Sequence, residues 1–258
     1  MQKIKNQLQQ QLYKVRLDNL LMSRYPEYSR AQIQSLIKLG AVLVNGEICL
    51  KSGILVDSDI TIEITNIPRY VSRAGYKLEK ALNYFNLDVS NLIALDAGIS
   101  TGGFTDCLLQ NNIKKVYGIE VGSGQTHEKI KNNPHVILFE NTNLRTLTLD
   151  VIKEQVDLIT LDLSFISVLK VMPVVCQLLK KAGKLIVLVK PQFESEGKYL
   201  NKRGIIKNAK IHKIILVDVL AAIKAFGFSS YGYIESPIEG GSGNKEFLAY
   251  FIRTCQKS

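Results

Sequence analysis

Leu92-Ile93-Ala94-Leu95-Asp96-Ala97-Gly98-Ile99-Ser100-Thr101-Gly102-Gly103 decides the reading of the fold. Its first residues are an apolar run ending in a carboxylate, which reads as a short buried strand. A glycine-rich turn follows, and Phe104 to Gln110 reads as a helix. Strand, glycine loop and helix make the crossover of a Rossmann-like α/β sheet, where ligands sit outside the carboxyl ends of the strands. The pattern recurs downstream. Lys115 to Glu120 is a second strand ending in an acid, Val156 to Asp162 a third, and Gly183 to Lys190 a fourth that ends in a lysine. Val168 to Lys181 reads as the helix before that last strand, with Pro173 at its start or kinking it. Ile211 to Phe228 reads as an amphipathic helix interrupted by Lys213, Asp218 and Lys224.

The loop also speaks to the ligand. A dinucleotide prefers G-x-G-x-x-G with its pyrophosphate on the helix N-terminus. Here the spacing is D-x-G-x-x-x-G-G, and Asp96 stands where it would repel a phosphate. A carboxylate there suits the cationic methionine end of S-adenosyl-L-methionine, so the loop favours that cofactor over NAD. Asp96, Gly98, Ser100, Thr101, Gly102, Gly103 and Phe104 are the candidate cofactor-binding residues, although Phe104, like Phe165, is a type more often found in the core than stacked on a cofactor. Glu120, about 20 residues on, is placed to receive ribose hydroxyls.

Upstream the chain has a different habit. Leu17, Leu20, Leu21 and Tyr25 share one helical face. Ser29 reads as the N-cap of a second helix, with Gln32 at the capping-box position, Ile33, Leu36 and Ile37 as its buried face and Gly40 as its left-handed cap. Ala41 to Ile48 is a hairpin turning at Asn45-Gly46, and Val56 to Ile64 reads as a closing strand. Thr65 to Tyr70, with Pro68, reads as a linker. The division expected is therefore a small α+β domain over 1–64, a linker over 65–70 and an α/β domain over 71–258. Gln7, Gln9, Gln10 and Gln11 read as a solvated helix start.

The chain has 258 residues, 33 Lys and Arg against 23 Asp and Glu, and a net charge of +10. That balance excludes an acidic disordered protein and suits a polyanionic partner. Through residue 51 there are eight Lys or Arg and three acids. Cys49, Cys107, Cys176 and Cys255 show no C-x-x-C spacing, and no metal site is expected. The apolar run Leu185 to Val189 is too short to span a bilayer. The polar N-terminus has no signal-peptide core. A cytoplasmic protein without membrane or DNA partners is expected.

The helix–helix–hairpin order, with Arg16-Leu17-Asp18 near its start and Ser29-Arg30 through Val44-Asn45-Gly46 after it, resembles the small RNA-binding domain of ribosomal protein S-four type. That resemblance implies RNA contact through Arg16, Arg30, Lys38 and Lys51. Such cations supply affinity through the phosphate backbone.

Further along, Tyr70 to Leu78, Asp96 to Asp106, Leu161-Asp162-Leu163-Ser164-Phe165-Ile166-Ser167, Val189-Lys190-Pro191-Gln192-Phe193-Glu194 and Gly243-Asn244-Lys245-Glu246-Phe247 resemble the TlyA family of FtsJ-like methyltransferases. The resemblance runs from about residue 14 to 254. It implies methyl transfer from S-adenosyl-L-methionine to a ribose 2′-hydroxyl, usually of a cytidine, in ribosomal RNA of the ribosomal subunits. It also implies a Lys-Asp-Lys-Glu tetrad, matched by Lys77, Asp162, Lys190 and Glu246. Two positions depart from the family pattern. Glu120 stands where Asp is usual, and Ile99 where a small residue is common.

A 2′-hydroxyl is a poor nucleophile. A base helps only with a pKa near the working pH, whereas free lysine is far more basic. Lys190 is expected as the base or the hydroxyl-positioning group. Asp162, also a candidate cofactor-binding residue, would hold Lys190 and sit near the sulfonium, and Lys77 and Glu246 would orient the ribose. Alignment by itself supplies up to roughly 7–11 kcal/mol. Ser164 lies in no G-x-S-x-G elbow. His127, His135 and His212 read as surface or packing residues, and Arg145 acquires no role. Gln192 to Arg203 reads as a lid over RNA or as a solvated loop. Two other functions compete with the enzyme: a catalytically weak RNA-binding factor in ribosome assembly, and a membrane-active hemolysin.

Overall fold

A computed structural model describes residues 13–28, 30–65, 68–240 and 243–254. The glutamine-rich start, the Ser29 cap, Asn66 and Ile67 of the linker, and Cys255 lie outside these residues. The chain forms two compact units, Met1–Ser72 and Arg73–Ser258.

In the first unit, β1 (Lys14–Arg16) leads straight into α1 (Leu17–Arg24), and α2 (Arg30–Lys38) follows. Leu17, Leu20 and Leu21 meet Ile33, Leu36 and Ile37 in a buried core. Gly40 leaves α2 with φ +76°, the left-handed exit expected there. The hairpin is β2 (Val42–Val44) and β3 (Glu47–Ile48), with positive φ at both Asn45 and Gly46. That geometry matches the right-handed twist of the strands.

The expected single closing strand is instead two, β4 (Leu55–Asp57) and β5 (Ile62–Ile64). A turn held by Ile60 N–H on Asp57 O, at 3.1 Å, separates them. β4 pairs with β1 and β5 with β2, so the run has two hydrogen-bonding partners and cannot be one element.

The second unit starts with α3 (Ala74–Tyr84), β6 (Ile93–Ala97), α4 (Gly103–Gln110), β7 (Lys115–Ile119), α5 (Glu128–Lys131) and β8 (Val136–Phe139). It continues through α6 (Leu149–Ile152), β9 (Val156–Leu161), α7 (Met172–Leu178), β10 (Leu179–Val189), α8 (Pro191–Glu194), α9 (Ala209–Ala225), β11 (Phe228–Glu235) and β12 (Phe247–Arg253). Among the described residues these strands make one sheet in the order β11-β12-β10-β9-β6-β7-β8. β10, β9, β6, β7 and β8 run parallel, and β12 is antiparallel to both neighbours. The chain steps from β6 outward to β7 and β8, then returns to β9 on the other side of β6. The crevice at such a reversal is where open α/β sheets bind ligands.

The helix expected over Val168–Lys181 is shorter. A 3-10 turn (Val168–Val171) precedes α7, Pro173 sits in the first turn of α7 where no N–H is needed, and the helix ends at Leu178. Leu179 is already extended and pairs with Val156. The register between β9 and β10 then shifts before Lys184, with Ala182 at φ +59°. Pairing at Leu179 therefore ends the helix before Lys180 and Lys181, which β10 carries as extended chain.

Candidate active site

The glycine loop joins β6 to α4 at the sheet's reversal. Gly98 and Gly102 have φ of +79° and +95°, conformations open to glycine at little cost. Gly98 also lies against β9, where a Cβ would stand 2.5 Å from Asp162 O. Asp162 N–H in turn donates to Ala97 O at 3.0 Å. The loop and the end of β9 are thus locked together through main chain. The unusual Ile99 is accommodated by Gly118, whose missing Cβ leaves the space that the Ile99 side chain fills.

Asp96 differs from its expected role. It is wholly buried and accepts hydrogen bonds from Thr105 Oγ at 2.7 Å and Thr160 Oγ at 2.8 Å. Burial pushes its pKa up to about 6. It ties β6 to α4 and β9 beneath the loop, with no solvent-facing atom to offer a ligand. Phe104 is 2% exposed, so its side chain belongs to the core.

Glu120 follows β7 and spans the opposite wall. Its carboxylate accepts Ser100 N–H and Gly122 N–H, each at 2.9 Å. Sequence reasoning missed the segment beyond it, Val121 to His127. Thr126 Oγ donates to Ser100 O at 3.0 Å, and His127 N–H to Thr101 O at 3.2 Å, so this segment braces the glycine loop. His127 also caps α5 by accepting from Lys129 N–H. The run of small and polar residues Gly122-Ser123-Gly124-Gln125 was the available signal.

The four tetrad positions form two ion pairs. Lys190 Nζ lies 2.6 Å from Asp162 Oδ1, and Lys77 Nζ 2.6 Å from Glu246 Oε2. Register explains the gathering. Val187 pairs with Leu161 and Val189 with Phe247, so Asp162, Lys190 and Glu246 emerge at one end of three neighbouring strands. Lys77 comes from α3, on its buried face beside Leu78 and Ala81. All four side chains are less than one fifth exposed. Lys190 is therefore beside Asp162 and Ser164, whose Oγ accepts from Nζ at 3.2 Å. Such pairs add little stability, but each fixes an ammonium group in place.

Lys190 and Glu246 line a cleft of about 1090 Å³. Its wall includes Ser164, Phe165, Gln192, Phe193 and Arg203, so the charged segment after Lys190 borders the site. Phe165, which the sequence allows as a core residue, is 91% exposed and holds φ +63°. Its ring centroid lies 5.1 Å from that of Phe193, which itself lies under Lys190 Nζ at 5.7 Å. A bulky exposed residue held at positive φ is an uncommon arrangement that clusters at functional sites. Glu194 anchors this wall, accepting from Ser167 Oγ at 2.5 Å and Val168 N–H at 3.0 Å, and burial raises its pKa.

In the first unit the candidate cations are organised by one acid. Asp18 is fully buried and receives Arg16 through both Nε, at 3.0 Å, and an Nη, at 2.8 Å. Gln34 Nε donates to the same carboxylate at 3.1 Å, and Arg30 lies 3.9 Å from it. The hydrogen-bonded Arg16 guanidinium holds the Asp18 pKa down at about 2. Arg16 and Arg30 remain about half exposed, and Lys38 and Lys51 are exposed.

Comparison with known proteins agrees with this architecture. The family described as FtsJ-like methyltransferase matches residues 70–253, and that described as S4 domain matches residues 15–59. Hemolysin A of Brachyspira hyodysenteriae is 39% identical, over 92% of this chain and 100% of its own length. The 16S/23S rRNA (cytidine-2'-O)-methyltransferase TlyA of Mycobacterium tuberculosis is 35% identical, over 93% of this chain and 90% of its own. A solved structure named as a hemolysin from Streptococcus thermophilus is 38% identical and superposes with a TM-score of 0.74, over 93% of this chain and 89% of that one. By the match across most of its length, this chain belongs to the FtsJ-like methyltransferase family.

Proposed function

We propose that this protein transfers a methyl group from S-adenosylmethionine to the 2′-hydroxyl of a cytidine in ribosomal RNA, acting in the cytoplasm on ribosomal subunits. The observation that carries the proposal is the gathering of Lys190–Asp162 and Lys77–Glu246 at one end of the sheet, with Lys190 and Glu246 opening on a cleft. The named activity of the Mycobacterium tuberculosis relative supplies the RNA class and the base.

The cofactor fits the residues present. Gly98 and Gly102 form a turn that side chains could not line, and Glu120 offers a carboxylate whose remaining lone pairs suit a ribose diol. Ser100, Thr101 and Gly103 supply the rest of that wall. Asp96 acts through the loop it braces. Bound S-adenosylmethionine supplies an electrophilic methyl group. Lys190, fixed by Asp162 and Ser164, orients the attacking ribose oxygen. Lys77 and Glu246 hold the ribose from the other side. This is catalysis mainly by alignment. Phe165 offers a face on which the base can stack, with Phe193 supporting it. Arg16, Arg30, Lys38 and Lys51 hold RNA phosphates.

Among the described residues no helix is long and apolar enough to cross a membrane. The test is transfer of labelled methyl to purified ribosomal subunits, followed by nucleoside analysis. The proposal requires 2′-O-methylcytidine. Absence of label, or label on a base atom, contradicts it.

A further inference from the structure

The charged segment after Lys190 ends in a turn that is built by hydrogen bonds. Asn201 Oδ1 accepts Arg203 N–H at 2.8 Å and Ile205 N–H at 3.1 Å, and Gly204 N–H donates to Asn201 O at 2.9 Å. Ile206 closes the turn with a buried side chain. Asn244 then hooks this piece to the sheet. It is 3% exposed and uses both ends of its amide. Its Nδ2 donates to Gly204 O at 3.0 Å, and its Oδ1 accepts Ile206 N–H at 3.2 Å. Glu246 follows two residues on, so the turn and the tetrad share one support.

What the turn presents is Arg203. This residue is exposed and lines the cleft, as does Lys170 from the 3-10 turn Val168–Val171. Other exposed lysines of this unit find acids, as Lys180 finds Asp157 and Lys245 finds Glu235. Among the described residues Arg203 and Lys170 find none. Two acids of the cleft are already engaged, Glu246 by Lys77 and Glu194 by Ser167 and Val168. That leaves the exposed Glu196 as the lining acid set against two free cations. A ribose within an RNA strand enters such a cleft with a phosphate on either side. Arginine offers a planar fork that matches two phosphate oxygens, and lysine a point charge.

We infer that Arg203, with Lys170, binds the backbone phosphates that flank the target ribose, and that Asn244 is the positioning residue that fixes the turn of Arg203 to the strand end of Glu246. This rests on the proposed methyl transfer to a ribose in RNA. The contact supplies affinity and register and reads no base. A nucleotide held by its flanking phosphates meets Lys190 in one orientation, which is what catalysis by alignment requires.

The test uses the full-length protein and purified ribosomal subunits. Subunit binding is measured across a salt series, beside KM, cofactor affinity and melting temperature. Arg203→Gln and Lys170→Gln are each expected to raise KM and weaken binding by roughly 5- to 10-fold at low salt. Each should lower the slope of log K against log salt by roughly 0.7–0.9, with cofactor affinity and melting temperature as in wild type. Arg203→Lys should keep the wild-type slope. Asn244→Ala should weaken binding in the wild-type background and add nothing further to Arg203→Gln, the mark of a residue that acts through another. If Asn244→Ala does not fold, Asn201→Ala opens the same turn and is held to the same rule. Wild-type affinity and slope in either glutamine variant overturn the phosphate assignment and leave methyl transfer standing. Additive losses overturn the role of Asn244. If wild type methylates no ribose in the subunits, the proposed function itself falls, and this assignment with it.

Discussion

Gly98 lies so close to the main chain of Asp162 that a Cβ on the glycine would stand 2.5 Å from the Asp162 carbonyl oxygen. The glycine turn proposed to hold the cofactor and the strand end that carries Asp162 are therefore one construction. Gly98→Ala should disturb both. The left-handed backbone alone costs about 1–3 kcal/mol, and the contact adds to it. A thermal melt should show the loss, and calorimetric titration should show weakened cofactor binding. A variant with unchanged melting temperature and affinity would refute this coupling.

Asp96 gives the protein a pH signature. Its folded pKa, about 6, lies above the ordinary carboxylate value. The native state then holds the proton more tightly than the unfolded one, so this contribution is favourable below pH 4. It is lost as pH rises through 6, by up to about 3 kcal/mol. Asp96→Asn should flatten that decline between pH 4 and 7 in urea unfolding curves. A wild-type curve that rises across this window, with no difference in the variant, contradicts the assignment.

Asp18 works in the opposite sense. Its pKa is held at about 2 by Arg16, so its stabilisation is present above pH 4 and disappears as pH falls through 2. Asp18→Asn should cost about 1–2 kcal/mol at pH 7, discounted because Arg16 is half in solvent. The difference from wild type should close near pH 2. Unfolding at the two pH values decides it.

Phe165 should separate binding from stability. Its side chain is 91% exposed, so Phe165→Ala should leave the melting temperature unchanged. Loss of a stacked base should raise KM for RNA by the equivalent of about 1–3 kcal/mol. An unchanged KM would remove Phe165 from the RNA path.

The first unit should bind RNA by charge. Lys38→Ala and Lys51→Ala should each weaken binding at low salt. Each should also reduce the slope of log K against log salt by roughly 0.7–0.9. Equal slopes for wild type and variants would show that neither lysine touches phosphate.

Much of the architecture was legible because periodicity and loop chemistry are local. Leu92 to Gly103 announces strand and loop, and Asn45-Gly46 its hairpin. Pairing partners are not local. Nothing in Val56 to Ile64 says that its two ends join different strands, and nothing in Lys180-Lys181 says that they enter a sheet. The tetrad residues came from motif contexts, while their grouping into Lys190–Asp162 and Lys77–Glu246 depends on strand register. Asp96 was misjudged because a strand-end carboxylate looks the same in sequence whether it faces a ligand or two buried threonines. Phe165 was hidden for a similar reason, since exposure exists only in three dimensions.

The central claim is that Lys190 aligns a ribose hydroxyl for methyl transfer. It is tested most directly by single-turnover transfer of labelled methyl from S-adenosylmethionine to ribosomal subunits, with wild type beside Lys190→Ala and cofactor affinity measured for both. The account predicts 2′-O-methylcytidine from wild type, and at least a 100-fold slower rate (~3 kcal/mol) from a variant that still binds cofactor. Wild-type turnover by Lys190→Ala would contradict it.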